Sequence, residues 1–259
     1  MIRASLAAAV VFVAASALAG GSITAKKAAL STAHPLATKA GLAVLQRGGT
    51  AADAAVAVAL VLSVVHPQAG GIGGGGFAVY YDAETRGVWT LDFREVSPRS
   101  VTRAAFEKTQ SGALSAGVPG TIAGLEALHR RFGTRPWKEL VEPAAAVARE
   151  GFPVDAELLA DIAAARQRRL NVLPDAALGK PLAQSELAST LQRLADSGAR
   201  SFYDGELAKK MIDAVQEAGG AIGHRDLREY EPVWRAPILL KFGPYDLYAV
   251  PPPSSGGVL

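Results

Sequence analysis

The sequence predicts an α+β domain, or a layered α/β one, in which buried helices carry short antiparallel hairpins. Three features point there. Residues Ala54 to Val65 are nearly all Ala, Val and Leu, which reads as a helix buried on most sides. Two hairpin patterns, Phe77 to Phe93 and Pro237 to Val250, are rich in aromatic and β-branched residues around short turns. Between them, apolar residues recur at i, i+3 or i+4, with glycines as punctuation.

In chain order, Leu36, Leu42, Ala43 and Leu45 have helical spacing, and Gly48-Gly49 supply a stop. Thr50 is placed to cap the next helix, the apolar one. At about twelve residues, that apolar core is too short to span a bilayer. A glycine cluster, Gly70-Gly71-Ile72-Gly73-Gly74-Gly75-Gly76, leads into Phe77 to Tyr81. The segment Asp82 to Gly87 turns the chain into Val88 to Phe93, with Arg94-Glu95 at the strand's end. Helices are expected over Pro119 to Arg131, Trp137 to Arg149, Asp155 to Leu170, Glu186 to Ser197 and Gly205 to Ala218. The last hairpin turns at Gly243-Pro244, and two strands alone are marginal, so it calls for strands beside it.

Composition limits the function classes. With 49% hydrophobic and 20% charged residues the chain is globular rather than disordered. A net charge of +3, from 27 basic and 24 acidic residues, is too small and dispersed to argue for nucleic acid. The densest basic run, Arg166, Arg168 and Arg169, reads as a solvated helix face. There is no cysteine, which excludes disulfides, thiolate catalysis and Cys-ligated metals.

The first residues carry one early charge, Arg3, then an apolar or small-residue stretch from Ala4 to Ala19 ending in Ala17-Leu18-Ala19. That is the pattern of a secretory signal cleaved after an A-x-A-like site. Residues 1–19 are therefore expected to be a signal peptide, and 20–259 to be the domain of a periplasmic or secreted protein. The other reading, an uncleaved anchor, meets a stretch slightly short for a bilayer, so no stable membrane span is expected.

Gly71 to Gly76 matches G-x-G-x-x-G, but a helix precedes it and a strand follows, the reverse of a dinucleotide site. No Lys-Ser or Lys-Thr closes it as a phosphate loop. No cofactor is expected. What these glycines permit is close approach of backbone to backbone or ligand. Neither G-x-S-x-G nor H-E-x-x-H occurs, and His34, His66, His129 and His224 lack metal-ligand spacing, so no metal is expected. Arg94, between Asp92 and Glu95, has two readings: a satisfied surface ion pair, or a planar fork offered to a substrate carboxylate.

In order and spacing, Gly70 to Phe77, Asp92-Phe93-Arg94-Glu95, Gly117-Val118-Pro119-Gly120-Thr121-Ile122-Ala123-Gly124, Arg235-Ala236-Pro237-Ile238 and Pro251-Pro252-Pro253-Ser254-Ser255-Gly256-Gly257 together resemble the γ-glutamyltransferase (glutathione hydrolase) family, over about Ala28 to Leu259. The resemblance implies an N-terminal nucleophile hydrolase with an αββα sandwich, here incomplete and confined to the N-terminal part of the large subunit. It implies a precursor that cuts itself in two, and a small-subunit threonine that attacks the γ-amide of glutathione or another γ-glutamyl compound. That threonine's own α-amino group serves as base, and water or an amino acid then takes the γ-glutamyl group. In the resemblance Arg94 holds the donor's α-carboxylate. The nucleophilic threonine is expected beyond residue 259, so no catalytic residue is assigned here and these residues alone are expected to be inactive. Ser254 and Ser255 are expected to be structural. The rival readings are a non-catalytic fragment and a related acylase acting on β-lactam side chains, and small-subunit residues would decide between substrates.

Overall fold

The computed structural model describes residues 24–108, 112–167 and 173–257. The expected signal peptide at 1–19, and Arg168 and Arg169 of the basic run, lie outside the described residues. The fold is α+β, as expected.

Helix α1 (Pro35–Gln46) opens on Pro35, whose missing N–H is no loss at a helix start. The Nδ1 atom of His34 accepts from the Leu36 amide at 3.1 Å, so His34 is the N-cap. The chain leaves α1 through Gly48, with φ at +80°, a conformation that costs glycine little. Thr50 and Asp53 then form a reciprocal capping box for α2 (Ala51–Val65). Val56, Leu60, Val61 and Val64 are fully buried in the main core. Deleting one such leucine side chain typically costs about 2–5 kcal/mol.

Against α2 pack α4 (Thr121–Phe132) and α5 (Trp137–Glu150), and α6 (Ala156–Gln167), α7 (Ser185–Ser197) and α8 (Glu206–Glu217) add apolar residues to the same core. The short helices α3 (Arg103–Lys108) and α9 (His224–Arg228) were not legible as periodic segments. A two-residue ladder pairs β3 (Phe152–Pro153) with β4 (Pro181–Leu182), and the buried Gln184 amide then donates to the Val64 carbonyl at the end of α2. Trp137 Nε1 donates to the Leu194 carbonyl, tying α5 to α7.

The first hairpin is β1 (Phe77–Asp82) against β2 (Gly87–Asp92), with Tyr80 opposite Trp89. Strand β5 (Val233–Arg235) adds to the other edge of β2, giving the order β1-β2-β5. Alternation puts Ala78, Tyr80, Trp89, Leu91 and Trp234 on one face. That face packs on α4: Phe132 stacks on Tyr80 with ring centroids 4.1 Å apart and meets Trp234 edge-on at 5.9 Å. The Arg131 guanidinium lies 3.6 Å from the Trp89 ring centroid and 4.7 Å from that of Trp234.

The second hairpin, β6 (Ile238–Phe242) with β7 (Tyr245–Ala249), forms as expected and stays two-stranded among the described residues. Its register places Leu240, Phe242, Tyr245 and Leu247 on one face, all of them exposed. Of the expected sandwich, the described residues hold this hairpin, the three-stranded sheet, the β3–β4 ladder and the helices.

Candidate functional site

The strand β2 ends at Asp92, and the next three residues are gripped from both sides. Gly76 and Phe93 exchange backbone hydrogen bonds of 3.2 and 2.9 Å, extending the β1–β2 ladder by one pair. Val96 pairs with Val118 on the opposite side. The glycines of both motifs act by closeness. A Cβ on Gly75 would lie 2.5 Å from the Phe93 oxygen, and one on Gly120 would lie 2.0 Å from the same atom. At Gly124 it would lie 2.2 Å from Cγ of Phe93. Phe93-Arg94-Glu95 thus runs through a slot that only glycine walls leave open.

The same loop satisfies the start of α4. Gly120, its N-cap, has no side chain to accept from the first turn. The Gly74 carbonyl accepts instead from the Gly120 and Thr121 amides at 2.8 and 3.0 Å. Thr121 Oγ1 donates to the Gly71 carbonyl. The Tyr203 hydroxyl accepts from the Ala123 amide and donates to the Pro119 carbonyl, both at 3.0 Å. These amides would otherwise be orphaned at a buried helix start.

The two acids flanking Arg94 are divided between two arginines. Asp92 Oδ2 accepts from Nε of Arg235 at 2.9 Å, and Nη2 of Arg235 stands 2.9 Å away as well. Asp92 Oδ1 accepts from the Arg94 amide, not from its guanidinium. Arg94 itself pairs with Glu95, Nε to Oε2 at 3.3 Å, with its Cζ 5.8 Å from the Phe77 ring centroid. The Arg94 side chain is 54% exposed. It stands at a cleft of about 650 Å³ whose other lining includes Glu95, Ser97, Thr102, Phe106 and Ser115. The fork's Nη groups have no protein acceptor among the described residues, so they can receive a planar anion.

A second polar cluster was missed in the sequence. Asp53 is completely buried. Its carboxylate accepts from the amides of Thr50, Thr134 and Arg135 and from the Thr134 hydroxyl, at 2.9 to 3.3 Å. Burial pushes its carboxyl up, but these hydrogen bonds outweigh it and hold the group below its ordinary range. His129 Nε2 lies 3.9 Å from Asp53 and 2.7 Å from the Arg135 carbonyl, which can only accept, so Nε2 bears the proton. The cluster welds the start of α2 to the loop after α4. Its one sequence signal was Thr50-x-x-Asp53.

The other singled-out residues stay apart. His34 caps the start of α1, His66 ends α2, and His224 begins α9. Arg166 pairs with Asp175. Ser254 Oγ accepts from the Gly256 amide in a local turn. Among the described residues no group of three or more His, Cys, Asp or Glu is placed to hold a metal ion, and no helix is long and apolar enough to cross a membrane.

Comparison with known proteins adds a family. A model of the family described as gamma-glutamyltranspeptidase matches residues 37–259. A glutathione hydrolase proenzyme of Bacillus subtilis (strain 168) is 37% identical over 254 residues, which covers 90% of this chain and 43% of that protein. The chain spans less than half the length of the curated relatives it matches. Among solved structures, the gamma-glutamyltranspeptidase of Helicobacter pylori superposes with a TM-score of 0.87 at 36% identity, covering 92% of this chain and 73% of that one. That of Pseudomonas nitroreducens, complexed with L-DON, gives 0.84 at 37% identity, covering 91% and 74%.

Proposed function

The chain belongs to the gamma-glutamyltranspeptidase family of N-terminal nucleophile hydrolases, and from that premise we propose that it supplies the donor-carboxylate site of an enzyme cleaving γ-glutamyl amides such as glutathione. Arg94 is the residue that takes the donor's α-carboxylate. The observation that carries the reading is the half-exposed guanidinium lining the cleft, its Nη groups without an acceptor among the described residues while Asp92 is committed to Arg235. A planar fork matches a carboxylate in two parallel hydrogen bonds, which a lysine cannot do.

In this reading a small subunit from the same precursor brings the threonine nucleophile. Its hydroxyl adds to the γ-carbonyl, the amide C–N bond breaks, and the leaving amine takes the proton. The resulting γ-glutamyl ester passes to water or to an amino-acid acceptor. Arg94 does no chemistry; it fixes the donor so that the γ-carbonyl lies in reach. The naming of relatives as glutathione hydrolase proenzymes supports the substrate and the precursor. The export pattern of the first nineteen residues supports a periplasmic or secreted site of action.

The test is donor kinetics in the assembled enzyme, in which this segment is joined by the rest of a large subunit and by a small subunit, using glutathione and a chromogenic γ-glutamyl anilide. Arg94→Ala should raise the donor KM for both. An unchanged KM with the fold intact removes Arg94 from the site. Release of β-lactam side chains in preference to γ-glutamyl groups would favour the acylase reading.

A further inference from the structure

Arg94 is held by its backbone as well as by its neighbours. Phe93 completes a ladder pair with Gly76, and Val96 completes one with Val118, but among the described residues the Arg94 carbonyl enters no backbone ladder. Its partner is a side chain 136 residues away: the Tyr230 hydroxyl donates to it at 2.8 Å. Tyr230 follows α9 and is 6% exposed. Its ring lies parallel to that of Tyr203, with centroids 5.9 Å apart and an interplanar angle of 7°. The Tyr203 hydroxyl is fixed in turn at the start of α4, between Pro119 and Ala123. Gly120 leaves the space this needs, since a Cβ there would lie 2.3 Å from the Tyr230 hydroxyl.

We propose that Tyr230 is a positioning residue for Arg94, its hydroxyl setting the Arg94 peptide and so where the guanidinium stands at the cleft. The inference rests on the reading of Arg94 as the donor-carboxylate ligand. An arginine side chain is long, so a small rotation of its peptide moves the fork appreciably, and misplacements of about 1 Å are costly in binding sites. Burial pushes the phenols of both tyrosines up, so each remains a neutral O–H donor over the working pH range. Tyr203 acts as the rigid backing that keeps the Tyr230 ring in place.

The test is Tyr230→Phe, which removes the hydroxyl and leaves the stack on Tyr203, in the assembled enzyme with a γ-glutamyl anilide as donor. Loss of one neutral hydrogen bond that orients a ligand residue should raise the donor KM roughly 3- to 10-fold, with kcat nearly unchanged, because carboxylate binding serves ground and transition states alike. In an Arg94→Ala background the same substitution should change KM little, since the group it positions is gone. Tyr230→Phe that leaves the donor KM unchanged, where Arg94→Ala raises it, overturns the inference alone. An equal KM effect of Tyr230→Phe with and without Arg94 also overturns it and marks Tyr230 as merely structural. Arg94→Ala with unchanged KM sinks the carboxylate reading and this inference with it, so the two failures are distinguishable. Thermal unfolding of each variant separates these outcomes from a loss of fold.

Discussion

Asp92 and Arg235, 143 residues apart in sequence, meet through Arg235 Nε and Nη2, each 2.9 Å from Asp92 Oδ2, and so seal β5 onto the first hairpin. Thr90 Oγ1 adds a bond to the Arg235 carbonyl at 2.7 Å. The Asp92 side chain is buried and that of Arg235 is about one-third exposed, so the pair is only partly shielded from solvent. Arg235→Ala should cost about 1–2 kcal/mol in urea unfolding, below the fully buried case because water screens the arginine. A double-mutant cycle with Asp92→Asn should return a coupling near 1 kcal/mol. Additive effects would mean that the pair forms without holding the strand.

The proposed donor-carboxylate role makes Arg94 sensitive to replacement. In the assembled enzyme Arg94→Ala should weaken donor binding roughly 10- to 150-fold, the span of a charged hydrogen bond of about 1.5–3 kcal/mol. Arg94→Lys should recover only part of this, because a point charge lacks the fork. Stability should barely move in either variant, since the side chain is half-exposed and water screens its pair with Glu95. Donor KM and thermal unfolding, measured together, check both halves.

Asp53 sets an acid limit on stability. Its folded carboxyl titrates below the ordinary value of 3.8. The contribution is therefore complete above that value, and it is lost as pH falls through the lower folded one. Asp53→Asn should destabilise the chain by about 2–3 kcal/mol at neutral pH, since amide donors from Thr50, Thr134 and Arg135 lose a charged acceptor. The variant should also show a shallower loss of stability below about pH 4. Urea midpoints measured from pH 7 to pH 3 would detect it, and parallel curves would argue against Asp53.

The glycines around Phe93 should rank by what they touch. Gly120→Ala puts a methyl against the Phe93 carbonyl oxygen and the Tyr230 hydroxyl, neither free to yield. Gly124→Ala meets Cγ and Cβ of Phe93 at 2.2 and 2.4 Å, atoms that turning the ring does not move, and gains only helix propensity inside α4. Overpacking typically costs about 1–3 kcal/mol. Both should reach or exceed the top of that range, with Gly124→Ala the less costly by the helix propensity it gains, about 1 kcal/mol at most. The reverse order in unfolding experiments would mean that the slot is looser than the distances imply.

The apolar face of the second hairpin should drive self-association of the purified chain. Leu240 and Leu247 pair across β6 and β7, flanked by the exposed Phe242 and Tyr245. Exposed, contiguous apolar strand faces are association sites. The combination Leu240→Lys with Leu247→Glu should lower the sedimentation-average mass while leaving the unfolding temperature nearly unchanged. An unchanged mass distribution would clear this face.

What the sequence by itself determined is local. Periodicity located α1, α2 and the main helices to within a few residues, because a helix buries its own stripe wherever it lies. Aromatic and β-branched runs with turn residues between them located both hairpins, whose partners are neighbours in the chain. The capping pattern at Thr50 and the family resemblance at Arg94 were equally readable. Only the tertiary structure decided which charges pair and what the glycines are for. The acids flanking Arg94 in the sequence looked equivalent, yet Asp92 faces Arg235 on a third strand while Glu95 stays with Arg94. A short strand such as β5 carries too little pattern to announce itself, and the chain that delivers it is more than a hundred residues long. The same holds for Tyr203 and Tyr230, two unremarkable aromatics until packing brings their hydroxyls to the α4 start and to Arg94. Buried hydrogen-bond partners are chosen by which unsatisfied groups the fold leaves within about 3 Å, and that distance is set by the whole packed core rather than by any stretch of sequence.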